Sequence, residues 1–120
     1  MIIWLASYPK SGNTWVRSMI TALMQTDDGV FHLDLLEKIK QFPNKKYFKI
    51  FTNDFANIHE IKKHWESAQD LINLDSKVKF FKTHHINCKI NQYSFTNKKN
   101  TLATIYIIRD PRNLVSSISN

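Results

Sequence analysis

The sequence predicts an α/β fold built on a parallel sheet. Three short apolar, β-branched runs at residues 2–6, 78–81 and 102–108 have the composition of buried strands. Stretches with helical periodicity separate the first run from the second, and Pro111 opens another helix after the third. In parallel sheets of this kind, ligands bind beyond the carboxyl ends of the strands. A polar cluster follows each of the three runs, so we expect the three clusters to meet at one edge of the sheet.

The first third of the chain reads as a strand, a tight turn and a helix. Residues 7–13 are rich in turn formers and contain the breakers Pro9 and Gly12. A helix is predicted from Thr14 to the Asp-Asp-Gly sequence at residues 27–29. One face of this helix is predicted to be apolar and carries Trp15, Met19, Ala22 and Leu23.

The middle of the chain gives weaker patterns. Residues 33–42 fit a helix with Leu35, Leu36 and Ile39 turned inward, whereas residues 45–56 fit either a strand or a loop. A helical stripe follows, made of Ile58, Ile61, Trp65, Ala68 and Ile72. Asn57 is its expected N-cap, with Glu60 in the capping-box position. Residues 86–100 are polar and are expected to form a long connection.

Composition narrows the functional classes. The net charge of +7 fits either attraction to an anionic ligand or a general enrichment in lysine, since most of the cations are scattered lysines. The single cysteine, Cys88, excludes an intramolecular disulfide and a cysteine-based metal site, in agreement with a reducing compartment. No targeting segment and no apolar run of about 20 residues is present. We therefore expect a cytoplasmic protein without a membrane segment.

The turn at residues 7–15 has the features of a phosphate-binding loop. A helix N-terminus after a strand offers unpaired N–H groups and a partial positive charge. Gly12 lets the backbone approach a ligand, and Lys10 adds a full positive charge. Trp15 offers a flat face for adenine, although an ordinary turn with Trp15 in the core is the alternative. The candidate ligand-binding residues are Lys10, Ser11, Gly12, Asn13, Thr14 and Trp15.

The loop differs from the phosphate loop of ATPases and GTPases. In the pattern GxxxxGK[ST] a lysine follows the second glycine, whereas Lys10 precedes Gly12 here and no glycine comes before it. Residues 8–15 instead closely resemble the 5′-phosphosulfate loop of sulfotransferases that use 3′-phosphoadenosine 5′-phosphosulfate (PAPS). That loop reads Y-P-K-S-G-T-T-W, and only Asn13 departs from it. The resemblance implies a three-layer, P-loop-like fold and PAPS as the co-substrate, with no metal ion.

The second cluster, Lys82-Thr83-His84, lies at the end of a predicted strand. It resembles the K-T-H sequence of the same family, which implies that His84 is the general base that takes a proton from the acceptor. Histidine suits that role because its ordinary pKa of ~6.5 lies near working pH. The resemblance also places Lys82 near the sulfuryl group. His85 is the base only if the register slips, and it is otherwise expected to be a solvated loop residue.

The third cluster spans residues 109–117. Arg109 follows a predicted strand and Ser117 comes eight residues later, a spacing that resembles the family's 3′-phosphate motif. A guanidinium group matches phosphate as a two-pronged donor. Without the resemblance, Arg109 and Asp110 fit a local ion pair equally well.

The three motifs occur in the family's order, but residues 25–77 carry no resemblance to it. Family domains are longer and carry a C-terminal G-x-x-G-x-x-K segment that this sequence lacks. The resemblance therefore predicts a partial sulfotransferase domain over residues 1–120, incomplete at its C-terminus, with little or no turnover of its own. The expected reaction is in-line sulfuryl transfer to a hydroxyl or amine of a small-molecule or glycan acceptor.

Two other functional classes remain open from the sequence. One is a fragment that binds PAPS or 3′-phosphoadenosine 5′-phosphate (PAP) without catalysis. The other is a P-loop nucleotide kinase, which needs a carboxylate for Mg²⁺, and Asp110 is the only candidate at a strand end. Binding to nucleic acid is disfavoured, because the aromatic residues fall mainly in predicted core stripes and no nucleic-acid motif occurs.

Overall fold

A parallel sheet organises the chain in the computed structural model, which describes residues 1–119. The strands in chain order are β1 (Ile2–Ser7), β2 (Lys40–Gln41), β3 (Lys79–Thr83), β4 (Lys89–Ile90), β5 (Tyr93–Ser94) and β6 (Thr101–Ile107). Four of them form one sheet in the order β2-β3-β1-β6, with every pair parallel. The three predicted strands are thus parallel neighbours, as expected. The short strand β2 was not predicted, and β4 and β5 form a separate antiparallel hairpin.

Four α-helices connect and flank the strands in residues 1–119. They are α1 (Asn13–Gln25), α2 (Ile58–Ile61), α3 (Trp65–Ile72) and α4 (Pro111–Ser119). Short 3₁₀ segments occur at Leu33–Lys38, Lys45–Tyr47, Lys62–His64 and Asn73–Asp75. The predicted N-cap at Asn57 is confirmed, because its side chain accepts a hydrogen bond from the backbone N–H of His59 at 3.0 Å. No helix in the described part of the chain is both long and apolar enough to cross a bilayer.

One face of the sheet carries an aromatic core. The ring of Trp4, in the central strand β1, lies 5.8 Å from Phe42, 6.2 Å from Phe81 and 5.4 Å from Phe95. Trp65 of α3 is fully buried and packs edge-on against Phe95. Tilted rings of this kind combine a large buried apolar area with favourable edge-to-face contacts. The core therefore joins α3 and the long connection before β6 to the middle of the sheet.

Helix α1 covers the opposite face. Its Ile20, Thr21 and Met24 lie beside Phe80 of β3 around a shared cleft. Because alternate residues of a strand point to opposite faces, Phe80 faces α1 while Phe81 faces the aromatic core. Helices on both sides of one parallel sheet give three layers, which confirms the predicted α/β class.

The predicted apolar face of α1 is not the face that packs on the sheet. Trp15 and Leu23 are 77% and 78% exposed, and only Ala22 of the predicted stripe is buried. The side turned toward the sheet includes the polar residue Thr21, whose hydroxyl bonds within the helix to Arg17 O at 2.9 Å. The prediction from hydrophobicity of which side of α1 packs on the sheet is therefore wrong.

Two predictions for the middle of the chain are corrected. Residues 33–42 form a 3₁₀ helix followed by β2 instead of one α-helix, because Phe42 continues past β2 and its N–H bonds to Lys82 O at 3.0 Å. Residues 86–100 are more than a connection. They contain the β4–β5 hairpin and the buried Phe95, whose N–H bonds to Cys88 O at 2.9 Å.

We predict that Gln69→Leu lowers the free energy of unfolding by about 1–3 kcal/mol. Gln69 is fully buried in α3, where its amide donates to Phe95 O at 2.7 Å and accepts from the Thr96 hydroxyl at 2.6 Å. Leucine has a similar size but leaves the Phe95 carbonyl without this partner. Urea unfolding measures the change. The exposed Gln25→Leu is the control, with an expected change within about 0.5 kcal/mol. Equal effects of the two variants would contradict the prediction.

Candidate active site

The loop between β1 and α1 contains two residues with a left-handed backbone conformation. Lys10 and Gly12 have φ values of 66° and 98°, both in the left-handed region, and α1 begins immediately afterwards at Asn13. Gly12 is the N-cap and supplies no side-chain bond to the first turn. Loops with left-handed residues before a helix form concave anion sites, to which the helix N-terminus adds partial positive charge. The loop thus has the predicted local structure, a tight turn between a strand and the N-terminus of a helix.

A cleft of about 430 Å³ lies in front of this loop. It is lined by Pro9, Lys10, Gly12, Asn13, Thr14, Trp15, Lys82, His84, Arg109 and Ser117. The carboxyl ends of three neighbouring parallel strands thus bring together nearly all of the residues singled out from the sequence. Ser11 is the exception, since it is buried and faces β6 and α4 instead of the cleft.

Arg109 reaches across the cleft to the loop. Its Nη1 donates to Lys10 O at 2.7 Å. The alternative ion pair of Arg109 with Asp110 does not form, because Asp110 binds Arg112 at 2.8 Å. Hydrogen bonds with Arg112 lower the pKa of Asp110, and the same contact raises the pKa of Arg112. In residues 1–119, the guanidinium of Arg109 therefore has no carboxylate partner.

Lys82 of β3 lies near a second cation, Arg17 of α1. Burial, and then the charge of Arg17, lower the pKa of Lys82. Burial also lowers the pKa of Arg17, whose Nε is enclosed without a hydrogen-bond partner among the described residues. Sequence analysis gave Arg17 no role, although its position near the loop motif was a signal. Two neighbouring cations without a carboxylate create a site that favours an anion.

His84 lies at the junction of two clefts. Its Nδ1 is 2.8 Å from Ser7 O and 3.3 Å from Ser7 Oγ. A carbonyl oxygen only accepts, so Nδ1 carries a hydrogen in this contact, and Nε2 is the nitrogen without hydrogen whenever the ring is neutral. Ser7, which sequence analysis did not single out, therefore determines that Nδ1 of the His84 ring carries a hydrogen.

The second cleft, of about 480 Å³, lies on the face of the sheet that carries the aromatic core. His84 lines it together with aromatic rings and hydroxyl groups, which belong to Trp4, Tyr8, Phe95, Tyr106, Ser7, Thr83, Thr96, Thr101 and Thr104. No aspartate, glutamate, lysine or arginine is among its lining residues. His84 is therefore open to a polar cationic cleft on one side and to an uncharged aromatic cleft on the other.

Three side chains near the site differ from the sequence-based picture. Trp15 is exposed and lines the first cleft, so the alternative that placed it in the core is wrong. His85 is not a solvated loop residue, because its ring stacks on Phe95 at 4.6 Å and lies edge-on to Trp65 at 4.9 Å. Asn13 lines the cleft but turns its amide inward, where Nδ2 donates to Leu5 O at 3.0 Å.

Comparison with known families agrees with this site. The sequence matches the family model described as "Sulfotransferase domain" over residues 2–120. The chain therefore belongs to the sulfotransferase domain family, whose fold is P-loop-like. Searches of curated proteins and of solved structures found no match.

We predict that Lys82→Met stabilises the ligand-free protein by less than about 1 kcal/mol, because burial of the Lys82 charge is only partial and solvent screens its repulsion from Arg17. The pKa of Lys82 is lowered in the folded state, so the folded protein binds this proton more weakly than the unfolded chain does. Stability therefore rises with pH between the lowered pKa and the ordinary lysine value. Methionine removes that cost at neutral pH. Chemical denaturation at low and high salt measures the gain; the part that comes from repulsion by Arg17 should shrink with salt, whereas the part that comes from burial should remain. The exposed Lys40→Met is the control, and a loss of stability in Lys82→Met would contradict the prediction.

Proposed function

We propose that this protein transfers a sulfuryl group from PAPS to an uncharged acceptor, with His84 as the general base. The observation that supports the proposal is the first cleft, where the loop before α1, His84 and three cations without a carboxylate partner (Lys10, Lys82 and Arg109) line one space. Membership of the sulfotransferase family supports the reaction class. The donor and the roles of individual residues are parts of the proposal.

In the proposed complex, the 5′-phosphosulfate and the 3′-phosphate of the nucleotide bind to different parts of the first cleft. The 5′-phosphosulfate lies on the loop N–H groups and Lys10, where the helix N-terminus favours negative charge. The 3′-phosphate lies between Arg109 and Ser117, which line the same cleft at its α4 side. The exposed ring of Trp15 provides a face for the adenine. The motif ranges 7–15, 82–84 and 109–117 then act as one binding unit.

In the proposed reaction, His84 Nε2 accepts the proton of an acceptor hydroxyl or amine. The acceptor atom attacks sulfur, the bond between sulfur and the 5′-phosphate oxygen breaks, and PAP leaves. Lys82 stabilises the charge on the transferred group, and Lys10 that on the leaving oxygen. Because anion binding favours a charged lysine, the bound donor offsets the burial that lowers the pKa of Lys82.

The acceptor is proposed to occupy the second cleft. His84 is shared by both clefts, so an acceptor there reaches Nε2 from the side opposite the nucleotide. Aromatic rings and hydroxyl groups suit a small molecule or a sugar with an apolar face and hydrogen-bonding edges. The absence of charged side chains from this lining favours a neutral acceptor.

Two alternatives make different predictions. A PAP-binding protein without catalysis would use only the first cleft, and it leaves the second cleft beside His84 without a role. A P-loop kinase would need Asp110 as a ligand of Mg²⁺. The Asp110 carboxylate instead forms a two-pronged contact with Arg112, at 3.2 and 2.8 Å. This pairing disfavours the kinase.

We predict that the protein binds PAP more tightly than AMP, and that Arg109→Ala weakens PAP binding about 10- to 100-fold while leaving AMP binding nearly unchanged. The magnitude corresponds to about 1.5–3 kcal/mol for a hydrogen-bonded, charged contact. Isothermal titration calorimetry measures both ligands. Arg112→Ala is the matched control, because Arg112 is held by Asp110 and does not line the cleft. Equal affinities for PAP and AMP in the unmodified protein would remove the 3′-phosphate assignment.

We predict that, in a full-length version or a close relative, His84→Ala lowers the rate of sulfuryl transfer by about 10²- to 10⁴-fold, the usual contribution of a general base. PAP affinity should change little, because the loop and Arg109 remain. Transfer from PAPS to a panel of neutral alcohols, phenols and amines measures the rate. His32→Ala is the control, since His32 is exposed and lines neither cleft. Tight PAP binding without transfer to any acceptor would favour the binding protein over the enzyme.

A further inference from the structure

The end of β3 departs from the regular sheet pattern at His85. Parallel pairing of β1 with β3 places the Lys79 N–H on Met1 O at 3.0 Å, with Ala6 opposite Thr83 at the far end. If the same ladder continued one step beyond the strand, the N–H of His85 would reach the carbonyl of Ser7. The N–H of His85 bonds instead to Thr83 Oγ1, at 3.0 Å. The side chain of Thr83 thus ends the ladder by capturing its next donor.

The carbonyl that loses this donor is the one that His84 uses. Ser7 O accepts from His84 Nδ1 at 2.8 Å, in the place where the ladder would bring a backbone N–H. The imidazole therefore substitutes for a main-chain donor. Because a backbone carbonyl only accepts, this substitution puts the ring hydrogen on Nδ1.

Asn13 holds the acceptor side of this contact. Its Nδ2 donates to Ser7 Oγ at 3.1 Å and to Leu5 O at 3.0 Å, so one amide group binds two residues of β1. Asn13 and Ser7 are both 4% exposed, and Thr83 is 2% exposed. The group that positions His84 is thus enclosed, where solvent competes little for its hydrogen bonds.

We propose that Thr83 is a positioning residue for His84. By capturing the His85 N–H, its hydroxyl reserves the Ser7 carbonyl for His84 Nδ1 and keeps Nε2 free of hydrogen. The Asn13 side chain fixes Ser7 in place for this contact. The inference rests on the proposed role of His84 as a base, but the tautomer that it specifies is a property of the protein itself.

Thr83, the middle residue of the Lys82-Thr83-His84 sequence, thus has a positioning role. The two residues that flank Thr83 line the nucleotide cleft, whereas the Thr83 side chain is buried on the other face of the sheet. A threonine is suited to this place because it combines a β-branched shape, which favours a strand, with a hydroxyl that can accept an N–H two residues later. Valine keeps the shape and removes the acceptor, and serine keeps the acceptor.

The test is the tautomer of His84 in ¹⁵N-labelled protein at about pH 9, where imidazole rings are neutral. Ring nitrogens with and without hydrogen differ widely in ¹⁵N chemical shift. We expect the unmodified protein to show hydrogen on Nδ1 only. In Thr83→Val, the His85 N–H becomes free to continue the ladder to Ser7 O, so both ring nitrogens should move toward the averaged shifts of a tautomer mixture. Thr83→Ser should restore the original shifts.

The indole N–H of Trp4, which bonds to Thr101 Oγ1 at 2.8 Å, reports whether each variant keeps the fold. If Thr83→Val unfolds, Asn13→Ala tests the same positioning group through Ser7 and should also release the tautomer. Hydrogen on Nε2 in the unmodified protein would overturn the proposal without any variant. Unchanged His84 shifts in a folded Thr83→Val protein would overturn it as well.

Transfer assays separate this inference from the proposed function. Thr83→Val should lower kcat and leave the affinity for PAP unchanged, because the loop and Arg109 are intact. A protein that shows the Nδ1–H tautomer but never transfers a sulfuryl group contradicts the proposed function and leaves the positioning role standing. If the unmodified protein and Thr83→Val transfer sulfuryl groups at the same rate and show the same His84 tautomer, the positioning role alone is contradicted.

Discussion

The structure depends on the central position of β1. This strand pairs with β3 on one side and β6 on the other, and its Trp4 contacts three phenylalanine rings that come from distant parts of the chain. The indole N–H of Trp4 also bonds to Thr101 at the start of β6, so burial of this large residue leaves no polar atom unpaired. Because β1 is held on both edges and on its aromatic face, the loop that follows it starts from a fixed point. Its position in turn determines where Lys10 and Gly12, the start of α1 and the Ser7 carbonyl lie.

The unpaired cations at the site lower the stability of the free protein, whereas the packing of β1 raises it. Lys82 is partly buried near Arg17, and Arg109 bonds to a backbone carbonyl instead of a carboxylate. Elsewhere in residues 1–119 some charges are paired, as Lys79 is with Asp75, whereas many lysines are exposed and have no carboxylate partner. Unpaired cations that line a cleft are costly in the free protein and become favourable when an anion binds. The neighbouring, partly buried Lys82 and Arg17 thus distinguish the site from the rest of the surface more sharply than the net charge of +7 does.

Sequence patterns predicted the parts of the fold that depend on local chemistry. The strand runs, the turn with Pro9 and Gly12, and the Asn57 cap follow from backbone preferences of particular residues, and all three occur. The packed side of α1 could not be predicted, because it depends on where β3 lies and includes Thr21. Residue Phe95 was missed for the same reason, since a lone aromatic residue in a polar stretch becomes core only through the rings around it. The meeting of the three polar clusters was predictable from strand direction, whereas the contact between Ser7 and His84 depends on how one ladder ends.

The backbone of Lys10 carries a cost at the proposed anion site. A lysine with a φ of 66° holds a conformation that glycine adopts freely and that costs other residues about 1–2 kcal/mol. Lys10→Gly therefore removes this backbone cost together with the positive charge of the side chain. Under the proposed function, binding of an anion by that charge offsets the cost of the left-handed backbone, so the ligand-free protein alone bears it.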